Sequence, residues 1–93
     1  MEKYLDKIIL FALEHNVTDI HFYVSKGNLT IYMRNADGMF LYEENGDLRI
    51  LEYLRYITNM DMSSAQKMQS GSCTLNYSDN KFQLDFLIFQ QLH

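Results

Sequence analysis

The stretch Thr18-Asp19-Ile20-His21-Phe22-Tyr23-Val24 decides how this chain is read. Ile20, Phe22 and Val24 alternate with Asp19, His21 and Tyr23, the two-residue period of a strand with one apolar and one more polar face. The segment before it has a different period. In residues 2–15 (EKYLDKIILFALEH), Tyr4, Leu5, Ile8, Ile9, Ala12 and Leu13 recur at helical spacing. Glu2 and Asp6 suit the positive N-terminal end of that helix and His15 its negative C-terminal end. Asn16 can adopt the left-handed conformation that ends a helix.

Downstream of Val24, Ser25-Lys26-Gly27-Asn28 is a turn, and Leu29 to Arg34 is a second strand with Leu29, Ile31 and Met33 on one face. Asn35-Ala36-Asp37-Gly38 is a second turn, in which Asp-Gly supplies positive-φ positions, and Met39 to Tyr42 is a third strand. Glu43-Glu44-Asn45-Gly46 reads as a polar loop. Asp47 is an N-cap for a helix from Leu48 to about Met60, with Leu51, Leu54 and Ile57, flanked by Ile50 and Tyr53, as its apolar stripe. Residues 61–71 (DMSSAQKMQSG) read as a loop or a short turn of helix. Ser72 to Tyr77 is a fourth strand, Ser78-Asp79-Asn80 a turn, and Lys81 to Phe89 a fifth strand with Phe82, Leu84, Phe86 and Ile88 on one face. The order α-βββ-α-ββ predicts a single α+β domain over residues 1–93. It has a mostly antiparallel sheet of five strands with two helices on one face, a shape that could be PAS-like.

Composition narrows the function classes. The formal net charge is −4 and the eight Lys and Arg residues are scattered, which argues against direct nucleic-acid binding. Cys73 is the single cysteine, so no internal disulfide forms and a reducing compartment is expected. No apolar run approaches the ~18 residues of a membrane span. The expectation is a soluble cytoplasmic domain.

Asp19 and His21 share a strand face and are the first candidates for chemistry. A metal site needs a third and usually a fourth ligand. His15, His93 and Cys73 are the available ones, yet neither H-x-x-x-H nor C-x-x-C spacing occurs, so no metal is expected. A hydrogen-bonded structural pair fits better, because buried polar groups need partners. Cys73 falls mid-strand on the apolar side, where a thiol is usually inert. No G-x-x-x-x-G-K-[ST] or G-x-G-x-x-G is present, so no phosphate-loop machinery and no catalytic residue is expected in the chain itself.

Four segments in order resemble the secretion-type ATPases that power type II secretion, type IV pili and competence pseudopili. TDIHFYV is similar to their S-D-I-H-I-E strand. IYMRNADG resembles Y-R-I-D-G, with Arg34, Asp37 and Gly38 matching around one extra residue. YLRYITNMDMSS resembles L-K-x-M-A-x-L-D-I-A-E, and AQKMQSGS resembles the competence form K-R-K-P-Q-S-G-S, with Gln69, Ser70, Gly71 and Ser72 matching. The resemblance spans about residues 5–89 and is closest to the competence pseudopilus ATPases of Gram-positive bacteria.

The resemblance implies an N-terminal α/β domain without its own catalysis. In that family ATP and Mg²⁺ are held by a following RecA-like domain that this sequence lacks, so the chain looks like one piece of a larger protein. It also implies a hexameric ring in which this domain packs against its own ATPase domain and neighbouring subunits, with an inner-membrane platform protein as a further partner. Arginines of the domain can reach a neighbour's nucleotide and stabilise phosphate charge in trans. Ala65, Gln66, Met68 and Ser72 depart from the family's basic or proline positions, and Gln83 and Asp85 lie around its L-R-V-S arginine. Lys67 and Arg34 remain as the candidates for nucleotide contact. Arg34 also stands where adjacent strands could bring it to Asp19 or His21 as a structural polar cluster. The rival expectations are a stand-alone PAS-like sensory or adaptor domain that binds a protein or small ligand through its aromatic face, and a small independent enzyme.

Overall fold

A computed structural model describes residues 1–58 and 68–89. The elements are α1 (Glu2–Glu14), β1 (Asp19–Ser25), β2 (Asn28–Asn35), β3 (Gly38–Gly46), α2 (Arg49–Thr58), β4 (Met68–Tyr77) and β5 (Asn80–Phe89). This is the α-βββ-α-ββ order, in one five-stranded sheet of strand order β3-β2-β1-β5-β4. Every neighbouring pair is antiparallel except β1 and β5, which run parallel at the centre.

The strand alternation fixes which face is packed. Ile20, Phe22 and Val24 of β1, Leu29, Ile31 and Met33 of β2, and Phe82, Leu84 and Phe86 of β5 are all buried. They meet Leu5, Ile8, Ile9 and Ala12 of α1 and Ile50 and Leu54 of α2 in one cluster, which places both helices on the same face of the sheet. Burying each large apolar side chain contributes about 1.5–3 kcal/mol. The α2 seam is narrower than its sequence suggests. Ile50 and Leu54 are fully buried, Leu51 and Tyr53 partly, and Ile57 is exposed.

Backbone chemistry closes the hairpins. Lys26 and Gly27 both have positive φ between the paired Ser25 and Asn28, as do Ser78 and Asp79 between Tyr77 and Asn80. These are the turn conformations whose twist matches that of the flanking strands. The β2–β3 turn works differently from the Asp-Gly expectation. Positive φ falls on Gly38 alone, at the start of β3, and the Asn35 side chain accepts a hydrogen bond from the Asp37 amide. Asn16 takes the left-handed conformation after α1, as expected. The Asp47 carboxylate accepts from the Arg49 amide and caps α2.

Two stretches differ from their expectation. Glu43 to Gly46 continue β3 rather than forming a loop, because two register shifts against β2 let the strand bend and run on. Residues 68–71 pair with β5 as the start of β4, since the long fifth strand offers a hydrogen-bonding edge that local polarity does not reveal. Residues 61–67 and the last turn proposed for α2 lie outside the described residues.

Candidate functional site

Only one face of the sheet is covered by the helices. The other carries the residues that alternate with the core: Asp19, His21 and Tyr23 on β1, Tyr32 and Arg34 on β2, and Gln83, Asp85 and Leu87 on β5. Register sets their neighbours. Asp19 is flanked by Arg34 and Gln83, His21 by Tyr32 and Asp85, and Tyr23 by Thr30 and Leu87. Because β1 is paired on both sides, these rows lie at the rigid middle of the sheet.

His21 is the centre of the face. Its Nδ1 is 3.4 Å from Asp85 Oδ2. One ligand atom from each of Asp19, His21 and Asp85 lies within 4.8 Å of the others. Asp19 accepts a hydrogen bond from Thr18 Oγ1 at 2.5 Å. His21 Nε2 is shielded from solvent and has no hydrogen-bond partner among the described residues. Beside the cluster is a shallow depression of about 260 Å³ lined by His21, Tyr23, Tyr32, Met39, Asp85 and Leu87 among others. Met39, Leu41 and Phe89 are substantially exposed. Phe89 packs at an angle against Tyr23, with ring centroids 5.8 Å apart.

The residues singled out from sequence are distributed unevenly over this arrangement. Asp19 and His21 are together on the open face, and Arg34 stands opposite Asp19 in the ladder. Arg34 is exposed and makes no ion pair among the described residues. The partner of His21 is Asp85, which sequence reasoning did not connect with it. Alternation along β5 already put Asp85 on the polar face. What was missing was the parallel pairing of the first and last strands, which no local pattern encodes. His15 is elsewhere: it caps α1, and its ring stacks on Phe11 with centroids 3.9 Å apart. It borders a separate hollow of about 350 Å³ by the β2–β3 turn. Cys73 is half-buried and packs against the core side. Neither joins the cluster. Lys67 and His93 lie outside the described residues.

Comparison with protein-family models, curated proteins and solved structures finds no match for this chain. Among the described residues no helix is long and apolar enough to cross a membrane.

Proposed function

We propose that this domain is the non-catalytic N-terminal module of a cytoplasmic secretion-type ATPase that assembles a competence pseudopilus for DNA uptake. Its work is to pack subunits together and couple nucleotide turnover to motion. The observation that carries the reading is that the described parts of the four family-like segments lie on β1, β2, α2 and β4. TDIHFYV runs into β1, the central strand, and IYMRNADG makes β2 and its hairpin. YLRYIT lies in α2, and QSGS opens β4.

The open sheet face supports a packing role. Its exposed Met39, Leu41 and Phe89 surround a polar centre, which suits a surface that meets another protein domain. The fit to ATP itself is poor within this chain. Gly27 and Gly38 serve hairpin turns, and the sequence has no phosphate loop. On this reading ATP and Mg²⁺ would be held by a RecA-like domain of the parent protein, and this module supplies side chains that reach across. Arg34, exposed and without a partner carboxylate among the described residues, suits that task. Lys67 is a second candidate on the resemblance alone.

The test has two arms. The pure chain should not hydrolyse ATP, and its reading frame should continue into a phosphate-loop motif beyond His93. In the full-length hexamer, Arg34→Ala should lower ATP turnover while the thermal midpoint of the isolated domain stays put. Turnover by the pure chain, or a stop codon directly after His93, would refute the proposal. The depression beside Tyr23 and Tyr32 favours one second reading, a PAS-like adaptor that binds a small ligand there; saturable ligand-induced shifts in a chain with a natural stop would support it instead.

A further inference from the structure

We propose that Asp19, His21 and Asp85 form a binding site for one divalent transition-metal ion on the open face of the sheet. The proposal does not depend on the ATPase reading. Asp19 and His21 are two residues apart on one strand, and Asp85 is the direct neighbour of His21 on the next. The ladder thus holds all three side chains on one face at the centre of the sheet, without relying on a loop. Side chains placed on rigid elements hold a ligand geometry better than loop residues do.

The distances fit. Two ligands of a tetrahedral ion, each bound at about 2.1 Å, are separated by about 3.4 Å. His21 Nδ1 and Asp85 Oδ2 are 3.4 Å apart, and one ligand atom from each of the three residues lies within 4.8 Å of the others. The same 3.4 Å is long for a charge-assisted hydrogen bond, which closes to about 2.7–2.9 Å. At that distance Asp85 does not hold Nδ1 in a close hydrogen bond. A cation between the carboxylates would take the Nδ1 lone pair and neutralise two facing anions.

Ligand chemistry narrows the ion. Two carboxylates and one neutral imidazole carry a charge of −2, matched by a dication. The nitrogen donor disfavours Ca²⁺ and Mg²⁺, and the absence of a thiolate from the set disfavours Cu(I). Zn²⁺, Mn²⁺ and Fe²⁺ fit. His21 and Asp85 also line the 260 Å³ depression, which has room for water or a partner's donor group beside them.

The metal-free chain titrated with Zn²⁺ by calorimetry should bind one equivalent and gain thermal stability. Substoichiometric Mn²⁺ should broaden the amide resonances around residues 19–21 and 85 first. Asp85→Asn and His21→Ala should each weaken Zn²⁺ by at least ~10-fold. The proposal fails if wild type shows no saturable binding, if both variants bind as tightly as wild type, or if Mn²⁺ broadening centres on His15, Cys73 or the C-terminal tail. The Mn²⁺ map is made on wild type, so it decides the matter even if a variant misfolds.

Discussion

Removing one hydroxyl should loosen the corner where three elements meet. Tyr4 of α1 donates its hydroxyl to Glu43 Oε1 at 2.5 Å and accepts from the Asp47 amide at 3.2 Å, tying the helix to the end of β3 and the start of α2. A bond to a charged group is worth about 1.5–3 kcal/mol net, and a long neutral one about 0.5–1 kcal/mol. Both partners are only partly buried, so water can replace part of what is lost, and Tyr4→Phe should cost about 1–2 kcal/mol. In a domain of this size that lowers the thermal midpoint by about 4–16 °C. Circular-dichroism melts of wild type, Tyr4→Phe, Glu43→Gln and the double variant make the cycle, and the pair should couple by at least about 0.5 kcal/mol. Burial, then the Glu43 hydrogen bond, pushes the Tyr4 hydroxyl well above its ordinary value of 10.0. As pH rises beyond 10.0 the unfolded tyrosine gives up its proton first, so this contribution to stability is full below that pH and declines above it. Tyr4→Phe should flatten the alkaline decline. A Tyr4→Phe loss no larger than that of Tyr56→Phe, whose ring is 83% exposed, would refute the reasoning.

Other outcomes test the rest of the fold. A Cβ at Gly46 would stand 2.9 Å from Tyr4 Oη and 3.2 Å from Leu29 Cδ2, so Gly46→Ala should destabilise by about 1–3 kcal/mol, and by less in a Tyr4→Phe background, as urea titration can measure. Ile20→Ala, at a fully buried position, should cost about 2–5 kcal/mol by the same assay, whereas Arg34→Ala on the open face should stay within about 0.5 kcal/mol. The Arg49 hydrogen bonds hold the Asp47 carboxyl down at about 2, against an ordinary 3.8, so its contribution is present above 3.8 and lost as pH falls towards 2. Urea midpoints of Asp47→Asn should accordingly lose less over that acid range than those of wild type. β4 has no charged residue, and its outer edge pairs with nothing among the described residues. A charge there, as in Thr74→Lys, should slow aggregation followed by light scattering.

Much of the fold was legible in local pattern. The alternation through Ile20, Phe22 and Val24, repeated in Leu29–Met33 and Phe82–Phe86, identified both the strands and their core-facing side. The turn residues located the hairpins, and Asp47 located the start of α2. Patterns failed where pairing overrides composition. Glu43 and Glu44 read as loop because they are charged, yet they lie on an edge strand whose bulges and solvent contact accommodate charge. The candidate site was half legible. Asp19 and His21 were visible as a pair, but their third neighbour was not.

The two-residue alternation in β1, β2 and β5 marks their core-facing positions, because side-chain direction along a strand is a local consequence of the backbone. It also determined that Asp19, His21 and Asp85 avoid the core. That Asp85 stands beside His21 follows from strand pairing, which no local pattern encodes. That contact spans 64 residues and depends on the β4–β5 hairpin joining the β1–β2–β3 meander through parallel pairing of β5 with β1, a pairing that buries the shared hydrophobic face under the helices.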